Sequence, residues 1–200
     1  TVRNEESRRF LVNIGVKRKI KVLPDMILSC DKEYLIKSNL ILPFDTQQII
    51  SLHLTTKDDG KNNKGMTIAI KDIIKYSKCN TNTKFIIICD QKNDTMEKRA
   101  LALCKKFRRN QAYVKFYTGP WDLISVLNQS DIVITDKLHV GIVSIRLGKT
   151  VFSVASHHKS LRFYRLIGKD KNSIFIDELK ENQLLDKLNN NNLYNKKVDN

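Results

Sequence analysis

The sequence has few of the residues that mark metal sites, disulfides and membrane spans. Its 200 residues include four cysteines and four histidines. Cys30, Cys79, Cys89 and Cys104 show no paired C-x-x-C spacing, which favours reduced thiols in a cytosolic core over a disulfide or a zinc site. No apolar run approaches the roughly 18 residues that a membrane-spanning helix needs. We therefore expect a soluble chain that holds no metal.

The usual nucleotide fingerprints are also missing, since neither a P-loop nor a G-x-G-x-x-G motif occurs. The net charge of +15, from 36 basic and 21 acidic residues, favours polyanionic or phosphorylated partners. The basic residues are spread out, however, and aromatic-basic interleaving is sparse. Its best instance is Arg162-Phe163-Tyr164-Arg165, whose spacing suits helix packing better than a nucleic-acid platform. No nucleic-acid partner is expected.

What is present is a regular alternation of strand and helix patterns. Apolar residues make up 41% of the chain and charged residues 28%, as in folded soluble proteins. Nearly continuous apolar strands alternate with amphipathic helices from residue 84 onward. This pattern predicts an α/β fold with a doubly wound, mostly parallel Rossmann-like sheet and helices on both faces. We predict one domain over residues 1–188 and a flexible Asn/Lys-rich tail over 189–200.

The first third of the chain predicts elements of more varied type. A helix begins near Asn4 and ends at Gly15, and a short strand follows over Ile20–Asp25. A longer strand begins at Ile49 and contains His53, which we interpret as a core or sheet-face residue. A polar loop over Asp58–Gly65 precedes a further helix.

One strand-to-helix junction carries an acid, a cation and an imidazole. Open α/β sheets bind ligands at the carboxyl ends of their strands, so the residues that follow each strand are the candidates. Lys137 and His139 lie where a helix begins, and the N–H groups there already favour an anion. A phosphate or carboxylate site is one interpretation. The other is that Asp136 caps the helix while Lys137 and His139 are bystanders.

The next predicted strand ends in a similar set, His157, His158 and Lys159. Adjacent strands would bring this set within reach of His139. The alternative is an ordinary polar helix start capped by Ser156 or Ser160. Arg3 stands just before the first helix, where a guanidinium fork can hold an anion. Trp121 at another helix start favours packing over a sugar platform.

These motifs together resemble the polysaccharide pyruvyl transferases. The stretch "VITDKLHVGIVSIRLGKTVFSVASHHK" is similar to that family's signature, a cation followed by Leu-His, a small-residue helix, a strand and a downstream lysine. The opening is similar as well, with Val2-Arg3, Ser7, Gly15-Val16 and Pro24-Asp25 in the family's order. The resemblance runs from Thr1 to about Gly168.

The resemblance implies the C-terminal, Rossmann-like half of a two-domain enzyme of the GT-B type, with an N-terminal domain outside this sequence. It implies transfer of the pyruvyl group of phosphoenolpyruvate to hydroxyls of a surface polysaccharide or a lipid-linked precursor, forming a ketal. No cofactor is implied besides the donor substrate. The location implied is cytoplasmic, with at most peripheral association at the inner face of the membrane.

The family motifs also imply roles. His139 is the implied acid or base, and Arg3, Lys137, Leu138 and Lys159 form the implied donor site, with Ser7, His157 and His158 as further candidates. Three positions depart from the common pattern: Lys137 replaces an arginine, Asn4 an acid, and Val140 a glycine. Lysine lacks the bidentate fork of arginine, so donor geometry or affinity is expected to differ.

Two other functions stay open from the sequence. A glycosyltransferase that uses a nucleotide sugar would bind its donor in the same crevice, and it would need a late carboxylate for the ribose. Asp177-Glu178 is the only candidate for that carboxylate. A non-catalytic basic module would bind an anionic polymer with strong salt dependence and would tolerate loss of His139.

Overall fold

The computed structural model of the chain describes residues 1–23, 25–36, 48–54, 64–89 and 94–198, with side chains up to residue 191. In chain order the strands are β1 (Gln48–His53), β2 (Thr83–Ile88), β3 (Ala112–Lys115), β4 (Ile132–Thr135), β5 (Thr150–Ala155) and β6 (Ser173–Phe175). They form one parallel sheet in the order β3-β2-β1-β4-β5-β6. The predicted doubly wound α/β fold is confirmed.

Helices connect consecutive strands, because parallel neighbours need a crossover connection. They are α1 (Glu5–Asn13), α2 (Met26–Ser29), α3 (Lys32–Leu35), α4 (Lys64–Cys79), α5 (Asp94–Cys104), α6 (Pro120–Gln129), α7 (Leu138–Arg146), α8 (His158–Leu166) and α9 (Gln183–Val198). Single 3-10 turns lie at Asp170–Asn172 and Ile176–Glu178. None of these described helices is long and apolar enough to cross a membrane.

Both faces of the sheet are covered, which explains why its strands are apolar at almost every position. Alternate side chains of a strand point to opposite faces. In β4, Ile132 and Ile134 join the core layer under α4, α5 and α9, whereas Val133 joins the layer under α6, α7 and α8. The sheet therefore places the carboxyl ends of its central strands at one edge, between two helical layers.

A buried carboxylate joins α9 to α4. Asp72 of α4 accepts hydrogen bonds from the backbone N–H groups of Asn182 (3.0 Å), Leu184 (3.1 Å) and Leu185 (3.4 Å). These groups belong to the start of α9, where N–H groups have no partner within the helix. Asp72 thus caps a helix that is more than 100 residues away in the sequence.

The strand predicted over Ile20–Asp25 is wrong for the part that the structure describes. Only an isolated parallel bridge between Val2 and Val22 forms, through Val2 N–H to Lys21 O and Leu23 N–H to Val2 O, both 2.9 Å. The pairing ends there because the N-terminal segment enters α1 directly, with Asn4 as the N-cap and Glu5 as the first helical residue. Pro24 and the polar loop up to residue 63 lie outside the described residues.

Two boundaries also differ from the prediction. The stretch Tyr113–Thr118 predicts a strand that reaches Thr118, but β3 ends at Lys115, where its pairing partner Ile88 ends β2. The tail predicted from Asn189 is helical as far as Val198. Once α9 is started by the Asp72 cap and anchored by buried Leu184 and Leu188, each further residue adds a helical hydrogen bond without a new nucleation cost.

Candidate functional site

The sheet order reverses between β1 and β4, and their carboxyl ends form the crevice where such folds bind ligands. The last residues of the two strands, His53 and Thr135, are register partners. Both are buried, as expected for His53 from the sequence. The Asp136 N–H donates to His53 O at 3.2 Å, which extends the pairing one residue past β4.

The turn from β4 to α7 presents the predicted cation and imidazole. Lys137 is the N-cap residue of α7, and its side chain makes no capping hydrogen bond. Its own N–H donates to Thr135 Oγ1 at 3.0 Å. His139 is exposed and Lys137 half-buried, whereas Asp136 is buried. The N-cap residue of α7 is thus Lys137 and not Asp136.

The turn from β5 to α8 carries the second set. His157 is the N-cap residue of α8, so neither Ser156 nor Ser160 caps this helix; instead, the Ser160 N–H donates to His157 O at 3.0 Å. The His158 ring stacks on Phe175 of β6, with centroids 4.6 Å apart. Lys159 is exposed in the first turn. Because β4 and β5 are neighbours, both turns lie at the same edge of the sheet.

A groove of about 830 Å³ opens between the N-terminal segment and helices α7 and α8. It brings together three of the predicted donor-site residues, Arg3, Leu138 and Lys159. Lys137 and His139 flank Leu138 in the sequence but do not line this groove, and Ser7, His157 and His158 do not line it either. The complete lining is Arg3, Asn4, Glu5, Glu6, Asp25, Leu28, Leu138, Ile142, Lys159, Arg162, Phe163, Arg165, Leu166 and Ile167.

The N-terminal wall of the groove is held by caps and ion pairs. Asn4 Oδ1 accepts the Ser7 N–H at 2.8 Å and so caps α1. Arg3 contacts Asp25 at 3.4 Å through one guanidinium nitrogen, and 68% of its side chain stays exposed. Asp25 also caps α2, where it accepts the Ile27 N–H at 3.2 Å. Arg3 is therefore oriented by a carboxylate and still has donors to offer to a ligand.

The acids that line the groove are all engaged by cations. Glu5 accepts hydrogen bonds from Arg8, and this guanidinium lowers the pKa of the Glu5 carboxyl. Glu6 pairs with Arg162 at 2.8 Å, and Asp25 pairs with Arg3.

Two lining cations remain uncompensated. In the described parts of the chain, neither Lys159 nor Arg165 has a carboxylate within ion-pair distance. An anion in the groove would therefore meet cations without having to displace all of their partners.

The sequence interpretation missed the contribution of α8 to this groove. Arg162 and Arg165 are exposed and lie one helical turn apart on one side of α8, whereas Tyr164 between them is fully buried. The signal was present in the Arg-x-x-Arg spacing, which puts both cations on one face. Phe163 and Leu166 add apolar surface beside them, so the groove combines cations with an apolar wall.

Other candidate residues lie elsewhere. Glu178 lines a separate cavity of about 410 Å³ beside β6, together with Arg165 and Lys187, and Asp177 is exposed. Trp121, at the start of α6, is 43% exposed and does not line the groove. Across the described ranges, no group of three or more His, Cys, Asp or Glu side chains is placed to hold a metal ion.

Comparisons with known proteins agree with the motif order. A sequence profile of the family described as "Polysaccharide pyruvyl transferase" matches residues 1–158. That range contains the β4–α7 turn and the N-terminal wall, and it ends within the β5–α8 turn. No curated protein matches the sequence significantly.

Solved structures with a similar fold include nucleotide-sugar epimerases. The S. aureus MnaA–UDP co-structure has a TM-score of 0.69 and 11% identity, and the match covers 94% of this chain and 48% of that chain. The UDP-GlcNAc 2-epimerase from Neisseria meningitidis bound to UDP-GlcNAc has a TM-score of 0.59 and 13% identity, covering 96% and 52%. A putative UDP-N-acetylglucosamine 2-epimerase from Listeria monocytogenes has a TM-score of 0.60 and 12% identity, covering 81% and 42%. This chain thus spans about half the length of these proteins, and the likeness establishes the fold alone.

Proposed function

The chain belongs to the polysaccharide pyruvyl transferase family, and we propose that it forms the donor-binding half of an enzyme that transfers the pyruvyl group of phosphoenolpyruvate to sugar hydroxyls. The observation that carries the proposal is the groove that joins Arg3, Leu138 and Lys159, since Leu138 stands between Lys137 and the exposed His139 in the sequence. These residues come from three distant parts of the sequence, and each stands at a family motif.

Phosphoenolpyruvate carries a phosphate and a carboxylate, so its site needs cations and N–H donors. Lys159 has no carboxylate partner among the described residues, and Arg3 makes one long contact to Asp25. The first N–H groups of α7 add donors because no side chain of the N-cap residue satisfies them. We assign Arg3 and Lys159, which line the groove, to the anionic groups, together with Lys137, which precedes the lining residue Leu138 in the same turn.

His139 is the proposed proton donor and acceptor. Protonation of the donor's methylene carbon creates an oxocarbenium, which one sugar hydroxyl attacks with loss of its proton. Phosphate then leaves, and a second hydroxyl attacks the same carbon to close the ketal. Of the two protons that the hydroxyls lose, one is taken up by the new methyl group and the other by the released phosphate. A single exposed imidazole that both donates and accepts protons can carry out these transfers. The cations stabilise the charge that develops on the leaving phosphate. Since the donor is already activated, the proposal needs no cofactor.

The acceptor is proposed to be a sugar of a surface polysaccharide or of a lipid-linked oligosaccharide. The groove is larger than a three-carbon phosphate ester requires, and Phe163 and Leu166 give it an apolar wall that a sugar ring can contact. An N-terminal domain is proposed to complete the acceptor side, because the chain spans about half the length of its structural relatives. The proposed location is cytoplasmic, with at most peripheral contact with the membrane.

The test separates binding from turnover in the full protein. Phosphate release from phosphoenolpyruvate is measured with a panel of hexose glycosides as acceptors, and donor affinity is measured in parallel. His139→Asn is expected to lower kcat by about 10²–10⁴-fold with little change in donor Kd. Lys137→Ala is expected to raise the donor Kd about tenfold or more, because it removes a charged contact.

A matched control comes from the same chain. Lys78→Ala removes an exposed lysine at the end of α4 that does not line the groove, and it is expected to keep wild-type constants. If His139→Asn turns over as fast as wild type, the proposed role of the imidazole is refuted. Binding that weakens steeply as the salt concentration rises, and that is unchanged in His139→Asn and Lys137→Ala, would instead support the basic binding module.

A further inference from the structure

A buried pair of polar side chains lies directly under the turn that carries Lys137 and His139. His53 and Thr135 close the two central strands, and they are 1% and 0% exposed. His53 Nδ1 lies 3.4 Å from Thr135 Oγ1. Neither side chain reaches the groove, so neither can contact a substrate bound there.

The Thr135 hydroxyl lies between the His53 ring and the backbone of Lys137. It accepts the Lys137 N–H at 3.0 Å, which leaves its own proton to donate. The available acceptors are His53 Nδ1 at 3.4 Å and the Lys137 carbonyl at 3.5 Å. In either case Thr135 contacts the backbone of the residue that presents the proposed donor cation, and His53 is its neighbour on the far side.

The β1 strand holds the turn at a second point, since the Asp136 N–H donates to His53 O at 3.2 Å. The usual device is absent here, because the N-cap residue Lys137 makes no side-chain capping bond. A capping side chain would occupy the first N–H groups of α7. The turn is instead held from β1 and from the Thr135 hydroxyl, without a capping bond from the N-cap side chain.

We propose that Thr135 and His53 are positioning residues for the donor site, which hold the Lys137–His139 turn in the geometry needed for proton transfer. The inference rests on the proposed function for its catalytic consequence. Its structural consequence, a turn fixed through the Thr135 hydroxyl, stands independently. The physical reason for an effect on rate is that a displacement of about 1 Å at a reacting group costs on the order of 100-fold in rate.

The same two strands provide a matched control for loss of a buried hydrogen bond. Ser51 of β1 and Ser130, just before β4, are both 0% exposed, and their hydroxyls are 2.6 Å apart. Ser51 lies two residues before His53, and Ser130 precedes β4 at the far end of that strand from the turn. Ser51→Ala therefore removes a buried hydroxyl contact of similar kind without touching the β4–α7 junction.

The first experiment is amide hydrogen exchange at Lys137 in the full chain, which needs no substrate. Thr135→Val keeps the shape of the side chain and removes its hydroxyl. It is expected to speed exchange of the Lys137 N–H about tenfold, the effect of losing one hydrogen bond. Thr135→Ser keeps the hydroxyl and should preserve protection, as should Ser51→Ala. Unchanged protection in Thr135→Val would overturn the proposed positioning role.

The second experiment separates rate from affinity in the pyruvyl transfer assay. Thr135→Val and His53→Leu are expected to lower kcat by about 10–100-fold with less than a threefold change in KM for phosphoenolpyruvate. His53→Asn retains a hydrogen-bonding atom near the Nδ1 position and should recover most of the activity, as should Thr135→Ser.

The failures of the two proposals are distinguishable. An inactive wild type that shows the predicted exchange pattern at Lys137 would refute the proposed function and leave the structural inference supported. An active wild type in which Thr135→Val and Ser51→Ala lose activity equally would refute the positioning role alone.

Discussion

Gly141 gives the sharpest prediction about how α7 and α8 are held together. An alanine Cβ at this position would lie 2.2 Å from the Tyr164 hydroxyl, 3.4 Å from Tyr164 Cζ and 3.7 Å from Thr135 Cγ2. Tyr164 is fully buried, so its ring cannot swing into solvent. Alanine is the better helix former by about 1 kcal/mol. Overpacking of this severity costs about 3 kcal/mol, so we expect Gly141→Ala to lower the free energy of unfolding by about 2 kcal/mol.

The clash comes from a single atom, which makes the prediction reversible. In a Tyr164→Phe background the hydroxyl is gone and the nearest remaining atom is at an ordinary contact distance. Gly141→Ala should then stabilise the protein by up to about 1 kcal/mol, through helix propensity. The sign of one substitution thus depends on one oxygen, and the coupling energy is about 3 kcal/mol.

The Tyr164 hydroxyl itself should contribute little to stability. No atom of the described residues meets hydrogen-bond geometry with this hydroxyl. Burial raises the pKa of Tyr164, and the nearby Ser153 side chain offsets part of that rise. Removal of a buried hydroxyl without a partner is close to neutral. Tyr164→Phe alone is therefore a suitable background.

Urea and thermal unfolding of the four proteins in this cycle measure the coupling. For a chain of this size, 2 kcal/mol corresponds to a fall in Tm of about 4–8 °C. If Gly141→Ala changes stability equally in both backgrounds, the close approach of α8 to α7 is refuted. That approach matters for function because Gly141 lies two residues after His139, and Lys159 lies in the first turn of the helix that carries Tyr164.

Two further predictions concern parts of the chain away from the groove. Asp72→Asn is expected to lower the free energy of unfolding by about 2 kcal/mol, because the side chain caps α9 as a charged acceptor. The control is Asp186→Asn, which changes an exposed residue in the first turn of α9. Equal effects of the two substitutions in urea unfolding would contradict the capping role. Iodoacetamide at pH 8 is expected to label the exposed Cys79 before Cys104, since burial raises the pKa of the Cys104 thiol. Peptide mass spectrometry measures the order of labelling, and earlier labelling of Cys104 would refute this prediction.

Much of the fold follows from local pattern. The apolar runs of β2, β4 and β5 are bounded by polar turns, and the helices between them keep a clear 3.6-residue period, so strand and helix alternate visibly. The misplaced elements depend on distant contacts instead. No local signal indicates that Val22 has only Val2 as a partner, or that Asp72 starts a helix which continues through an Asn-rich segment.

The positions of the candidate site residues were predictable where these residues follow the ends of strands. Lys137, His139 and Lys159 follow β4 and β5, and the general rule for open α/β sheets points to such positions. Arg162 and Arg165 were missed as site residues because they lie on a helix face that could equally have met solvent. The pairing of His53 with Thr135 requires the strand order, since β1 and β4 are neighbours only in space.

The groove beside the β4–α7 turn is the proposed binding site of phosphoenolpyruvate, and calorimetric titration of the full chain with this donor at moderate salt tests that assignment. UDP-GlcNAc serves as the competing ligand and Lys137→Ala as the variant. We expect saturable binding of phosphoenolpyruvate that Lys137→Ala weakens about tenfold or more and that UDP-GlcNAc does not prevent. Tight binding of UDP-GlcNAc without any binding of phosphoenolpyruvate would refute the donor assignment and would favour a glycosyltransferase that uses a nucleotide sugar.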